Sequence, residues 1–190
     1  MNVLRLLLSV AVLLLLVASF EQQTLHAQQK IPGYGPNAKA CALLPIPELE
    51  AFYHGKAGTP RGFDESGGSI CEVWIAGHIS KVQFAPPGDE GAPHSIREGF
   101  ALIPEIAAAN KGKAKFETKD YGKVGCLKLE LSPTALGADA PKGQKLAYAV
   151  NCFQVEGGFL NLTLSSDDPA QISFDTAKQF LEKAAARRKT

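Results

Sequence analysis

The chain has 190 residues, 45% of them hydrophobic, with 20 Lys and Arg against 19 Asp and Glu for a net charge of +1. That balance offers nothing to attract a polyanion, and no basic stripe interleaved with aromatic residues marks a nucleic-acid surface. The length suits one domain with a core of its own rather than a mini-protein held together only by cross-links.

The first element is apolar. After Met1 and Arg5 the chain runs from Leu6 to Phe20 with only Ser9 and Ser19 interrupting, and it turns polar at Glu21. Such a run falls short of the ~20 apolar residues that a membrane-spanning helix needs. Ala27, after Leu25 and His26, offers a small residue for cleavage, so residues 1–27 are expected to be a signal peptide. The mature chain is then secreted or periplasmic, with no stable membrane span. All four cysteines, Cys41, Cys71, Cys126 and Cys152, follow this segment. An even count in an exported chain predicts two disulfides, for which three pairings exist. Cys41 with Cys71 and Cys126 with Cys152 are favoured, because each pair is close in sequence and joins elements expected to be neighbours. The absence of any C-x-x-C spacing argues against a thiolate metal site or a redox pair.

Residues 28–40 are rich in Gly, Pro and polar side chains and are expected to form a flexible lead-in; residues 41–190 then form a single domain. A first helix is expected from about Pro47 to His54, with Glu48 and Glu50 near its positive end and Gly55 as its stop. The segment from Lys56 to Gly68 reads as a loop. Along the next strand Cys71, Val73 and Ile75 alternate with Ile70, Glu72 and Trp74, which suggests cover on both faces; a turn at Gly77 and His78 leads into a second strand with Val82 and Phe84 inward.

Ser95 and Glu98 form a capping box for a second helix, with Pro104 as a break. Four strands are expected after it, around Ala114–Lys119, Val124–Leu131, Lys145–Val155 and Phe159–Ser165. In the second of them Leu127, Leu129 and Leu131 mark one buried face, and Glu156, Gly157 and Gly158 join the last two as a hairpin. The stretch 132–144 reads as a surface loop. Ser173 caps a last helix with Phe174, Ala177, Leu181 and Ala184 on one face and Arg187, Arg188 and Lys189 at its negative end. The order is helix, two strands, helix, four strands, helix. This predicts an α+β fold, an antiparallel sheet with helices packed on it and two disulfides.

The words C-A-L-L-x-x-x-E-L-E at Cys41 and C-E-V-W at Cys71 resemble a group of uncharacterised secreted bacterial proteins. These carry a C-x-L-L-x-x-x-E-[VL] helix followed by a C-x-[WYF] strand, as in actinobacterial lipoproteins of unknown function. The likeness covers about Cys41 to Trp74, with Pro45 where that pattern has Thr. It implies an exported α+β domain with a disulfide between the two motif cysteines, and it implies no reaction.

His54, His78 and His94 fall at a helix end, a turn and a loop, with no metal-binding spacing among them. The weak ligand-binding candidates are Trp74, whose ring either packs on the disulfide or stacks on a ligand, and His54 with Asp64. Gly67-Gly68-Ser69 precedes a strand rather than a helix, the wrong setting for a nucleophile elbow. No catalytic residue, metal or cofactor is assigned. The expectation is a non-enzymatic module that binds a small molecule, a lipid or an envelope protein partner. The alternative is a periplasmic hydrolase assembled around His54 and the Gly-rich loop 58–68.

Overall fold

A computed structural model describes residues 35–65, 67–101, 115–130 and 148–188. The expected signal peptide at residues 1–27, the break at Pro104 and the loop 132–144 lie outside these. Seven strands form one antiparallel sheet: β1 (Arg61–Glu65), β2 (Gly68–Ile75), β3 (His78–Phe84), β4 (Lys115–Asp120), β5 (Gly125–Glu130), β6 (Tyr148–Gln154) and β7 (Leu160–Ser166), in the spatial order β1-β2-β3-β7-β6-β5-β4. Three helices pack against it: α1 (Ile46–Tyr53), α2 (Ile96–Ala101) and α3 (Phe174–Arg188). The predicted α+β class is the observed one.

The core lies between the sheet and the α1 and α3 layer. Cys71 and Val73 of β2, Val82 of β3, Leu160, Leu162 and Leu164 of β7, and Val150 of β6 are buried there with Leu49 of α1 and Ala177 and Leu181 of α3. Phe52 of α1 meets Phe180 of α3 edge to face at 5.4 Å, so the two helices seal each other as well as the sheet. Both disulfides belong to this layer. Cys41–Cys71 ties a 3-10 turn (Lys39–Leu43) to β2, and Cys126–Cys152 joins two residues directly opposite each other on β5 and β6. Among the described residues no helix is long and apolar enough to cross a membrane.

Five expectations are corrected. The stretch assigned to a loop contains β1, an edge strand registered Phe63 to Ile70, because Gly62 carries no Cβ to collide with the carbonyl of Ile70. The lead-in is part of the fold from Gly35, whose N–H and C=O pair with Gly62 at 2.7 and 2.9 Å, and Ala38 and Ala40 are buried. The turn between β2 and β3 is Ala76-Gly77, both at positive φ, so His78 is the first residue of β3. Leu127, buried as expected, and Leu129 face away from the α1 and α3 layer, since Cys126, the residue before Leu127, points into it. The first helix starts one residue before the expected Pro47 and ends at Tyr53, with His54 as its left-handed cap at φ 52°.

The predicted caps are present. Ser173 Oγ accepts from the Thr176 N–H at 3.0 Å. Ser95 Oγ accepts from the Glu98 N–H at 3.1 Å, while the Glu98 carboxylate reaches back to the N–H of His94 at 2.8 Å rather than to that of Ser95. Gly157 and Gly158 both take positive φ in the β6–β7 turn, as tight hairpins require.

Candidate functional site

The face of the sheet opposite α1 and α3 carries the candidate site. Strand alternation turns Glu72, Lys81, Thr163, Asn151 and Leu127 to this face, and the register places them side by side across β2, β3, β7, β6 and β5. The row changes from charged to polar to apolar along its length. Asn151 Nδ2 donates to Thr163 Oγ1 at 2.8 Å, which orders the middle of it.

α2 covers the apolar end. Phe100 stands edge to face on Phe153, with ring centroids 5.6 Å apart. A Cβ on Gly125 would lie 2.7 Å from Phe153 Cζ and 3.0 Å from Ile96 Cγ2, and one on Gly99 would enter the Phe153 ring, so both glycines let the short helix approach. The space left between helix and sheet is a channel of about 260 Å³ walled by Phe100, Leu127, Leu129, Phe153 and Phe159. Its polar points are Asn151, Asn161 and Thr163. A second cavity of about 300 Å³ adjoins it at Pro93 and Phe159 and is bordered by Phe63, Ile70, Gln83 and Asp89. Small-molecule sites occupy roughly 300–1,000 Å³. The channel alone falls just below that range and the second cavity at its lower limit, and the two together fall within it.

Lys81 is half-buried one strand beyond the channel lining, directly across from its residue Thr163. Burial pulls its ammonium below the ordinary lysine pKa, and the carboxylate of Glu72 opposite it on β2 offsets part of that effect.

The sequence candidates are placed elsewhere or differently. Trp74 is on the open face opposite Ile79, half-buried, and its ring points away from the layer that holds the Cys41–Cys71 bond. His54 ends α1, beside the β2–β3 turn, where a Cβ on the adjacent Gly55 would lie 2.9 Å from that of Ala76. Asp64 pairs with Ser69 at the other end of β2. Six residue steps of strand lead from Ser69 to Ile75, about 20 Å at the usual rise, so the fold does not bring His54 and Asp64 together. The Asp64 carboxylate, held low by a hydrogen bond from Ser69, also accepts from the Lys39 N–H at 3.0 Å and thereby fixes the 3-10 turn.

A separate polar group lies beneath α1. His78, only 8% exposed rather than in an open turn, stacks on Tyr53 at 5.0 Å, with Nε2 3.9 Å from Asp167 Oδ1. The Tyr53 hydroxyl donates to the Ser165 carbonyl at 2.9 Å, and burial pushes its pKa up to about 12. Ser80 lies close enough to help stabilise the Tyr53 phenolate, yet its Oγ makes no hydrogen bond of good geometry, and His78 Nδ1 is also without a partner among the described residues. Histidine, serine and aspartate side by side suggest a nucleophile and its base. Ser80 is fully buried, however, and no substrate carbonyl can reach its Oγ through the packed helix.

Sequence reading missed Lys81, Phe153, Phe159 and the two groove-facing leucines. One signal was available. Leu127 and Leu129 alternate with Cys126, and Phe153 follows Cys152, so apolar side chains occupy the face that the disulfide does not. No protein-family model, curated protein or solved structure matches the chain.

Proposed function

We propose that the protein is an exported binding module that holds a small amphipathic molecule in the channel between α2 and the open face of the sheet. The observation that carries this reading is the wall of Phe100, Leu127, Leu129, Phe153 and Phe159 outside the main core, with Asn151, Asn161 and Thr163 set into it. Apolar lining with a few fixed polar groups is the usual composition of a small-molecule site. The export part rests on the apolar N-terminal run and on four cysteines engaged in two disulfides, which persist in oxidising compartments. The likeness to uncharacterised secreted bacterial proteins points to the same setting. The hydrolase alternative draws no support from the separation of His54 and Asp64.

The test is native mass spectrometry of the protein isolated from its host's cell envelope, alongside Leu129→Arg, which places a charge and a long stem in the channel. A small-molecule adduct on the wild type that the variant lacks is the expected result. A bare polypeptide mass after incubation with envelope lipid extract overturns the reading. Amino-terminal sequencing of the same material tests export; a chain that still begins at Met1 counts against it.

A further inference from the structure

Resting on that reading, the geometry points to the class of ligand: we infer that the channel takes a single-chain amphiphile with a carboxylate head, the head paired with Lys81 and Thr163 and the alkyl chain lying across β7, β6 and β5 beneath α2.

The row of side chains dictates the polarity of the occupant. Lys81, Thr163, Asn151 and Leu127 are consecutive cross-strand neighbours. With strands ~4.8 Å apart, the distance from Lys81 to Leu127 is about 14 Å, the reach of a medium-length alkyl chain. Thr163 closes one end of the channel lining, Lys81 stands one strand beyond it, and Leu127, Leu129 and Phe153 form the far end. Among the described residues no acid lines this channel, whereas the adjoining cavity has Asp89 on its border. An anionic head is accordingly favoured at the Lys81 end of the channel and disfavoured in its neighbour.

The hydrogen bonding agrees with a negative head. Thr163 Oγ1 already accepts from Asn151 Nδ2, so its own proton is available to donate. Lys81 brings three N–H donors on a compact charge, and an ammonium paired with a carboxylate makes hydrogen bonds about twice as strong as neutral ones. Among the described residues, Glu72 is the only charge that acts on Lys81. Glu72 lies on the β2 side, and the β7 side, toward the channel, presents the neutral Thr163. The lowered basicity of Lys81 fits an ammonium that lacks water and would gain from an anion arriving with the chain.

The measurement is calorimetric titration of the purified protein with dodecanoate and, separately, with dodecanol, on wild type, Lys81→Gln and Lys81→Arg, with circular dichroism to verify folding. Dodecanoate is expected to bind wild type roughly 10-fold or more tightly than the alcohol, a charge-assisted hydrogen bond's worth of preference. Lys81→Gln is expected to abolish that preference, and Lys81→Arg to retain most of it. Equal binding of acid and alcohol by wild type, or an acid preference that survives Lys81→Gln, overturns the inference while leaving the binding-module reading in place. Binding of neither probe overturns the inference, and the binding-module reading then stands or falls on its mass-spectrometric test.

Discussion

Arg187, near the end of α3, places its Nη2 3.0 and 3.1 Å from the two carboxylate oxygens of Glu48 in the first turn of α1, across 139 residues of sequence. The pair joins the first and last helices over the core, and the Arg187 Nη1 also donates to the Lys183 carbonyl at 3.3 Å near the negative end of its own helix. Both side chains are about one-third exposed, which limits the pair to ~0.5–1 kcal/mol. Arg187→Ala should lower the urea midpoint by a small, measurable step. The hydrogen bond from Arg187 holds the Glu48 carboxyl below its ordinary value of 4.5. The stability it contributes is thus present above that value and lost as the pH falls through the lower folded one. The difference between wild type and Arg187→Ala should shrink toward zero in acid; a difference unchanged at pH 3 would show that the charge pair is not its origin.

Lys81 works in the opposite sense. Its pKa is lower folded than unfolded, so the charged form opposes folding, and stability rises as the pH climbs from the folded value toward 10.5. Lys81→Met, which keeps the alkyl stem, is expected to raise the melting temperature at neutral pH and to lose that advantage near pH 10.5. The same variant is expected to lose the acid preference in ligand binding, a trade of function against stability of the kind common at sites. A melting temperature below that of wild type at pH 7 would mean that the ammonium stabilises the fold.

Tyr53 reports on the seal under α1. Its pKa of about 12 means that, in a spectrophotometric titration of the folded protein, the Tyr53 phenol should remain protonated well past pH 10, and comparison with Tyr53→Phe separates it from Tyr121, which is also shifted upward by burial. Because the unfolded chain ionises first, stability should fall as the pH rises from 10 toward 12. Tyr53→Phe removes the donor to the Ser165 carbonyl and should cost ~1 kcal/mol by denaturant titration, with the alkaline loss reduced in parallel.

The two disulfides should be separable in effect. Replacing Cys126 and Cys152 by alanine releases a loop of 26 residues and is expected to cost ~2–5 kcal/mol. The cost should appear mainly as a lower thermal midpoint, since β5 and β6 stay paired through their backbone. Replacing Cys41 and Cys71 should instead free the 3-10 turn and its contact with Asp64, and amide exchange at Lys39 and Ala40 is the direct measurement.

Gly62 is the position where β1 is most easily broken. An added Cβ would run into the Ile70 carbonyl, lie 2.9 Å from the Ala38 Cβ and 3.0 Å from the Cys71 Cα. Gly62→Ala should therefore cost ~1–3 kcal/mol, the usual range for overpacking. It should also release the amide of Gly35 to fast hydrogen exchange, because that amide bonds the Gly62 carbonyl.

The sequence by itself determined the class and most of the local structure, because those follow from short-range patterns. The alternation of Cys71, Val73 and Ile75 with Ile70, Glu72 and Trp74, the glycines after Glu156 and the Ser173 cap each name an element from neighbours a few residues away. Close cysteine spacing likewise led to the observed pairs. β1 was hidden because its pairing depends on a bare Gly62 meeting Gly35 and Ile70, which no local period records.

Only the tertiary structure decided which face each strand turns to the helices. An alternating strand has two equivalent faces until its register is set, so Leu127 and Leu129 looked like core, and they wall a channel instead. The same step placed Trp74 away from the disulfide, buried His78 beneath Tyr53 and set Lys81 beside Thr163. A candidate site assembled from β3, β5, β6, β7 and a single turn of capped helix is a property of strand order, and strand order is fixed by long-range burial rather than by any stretch of the chain.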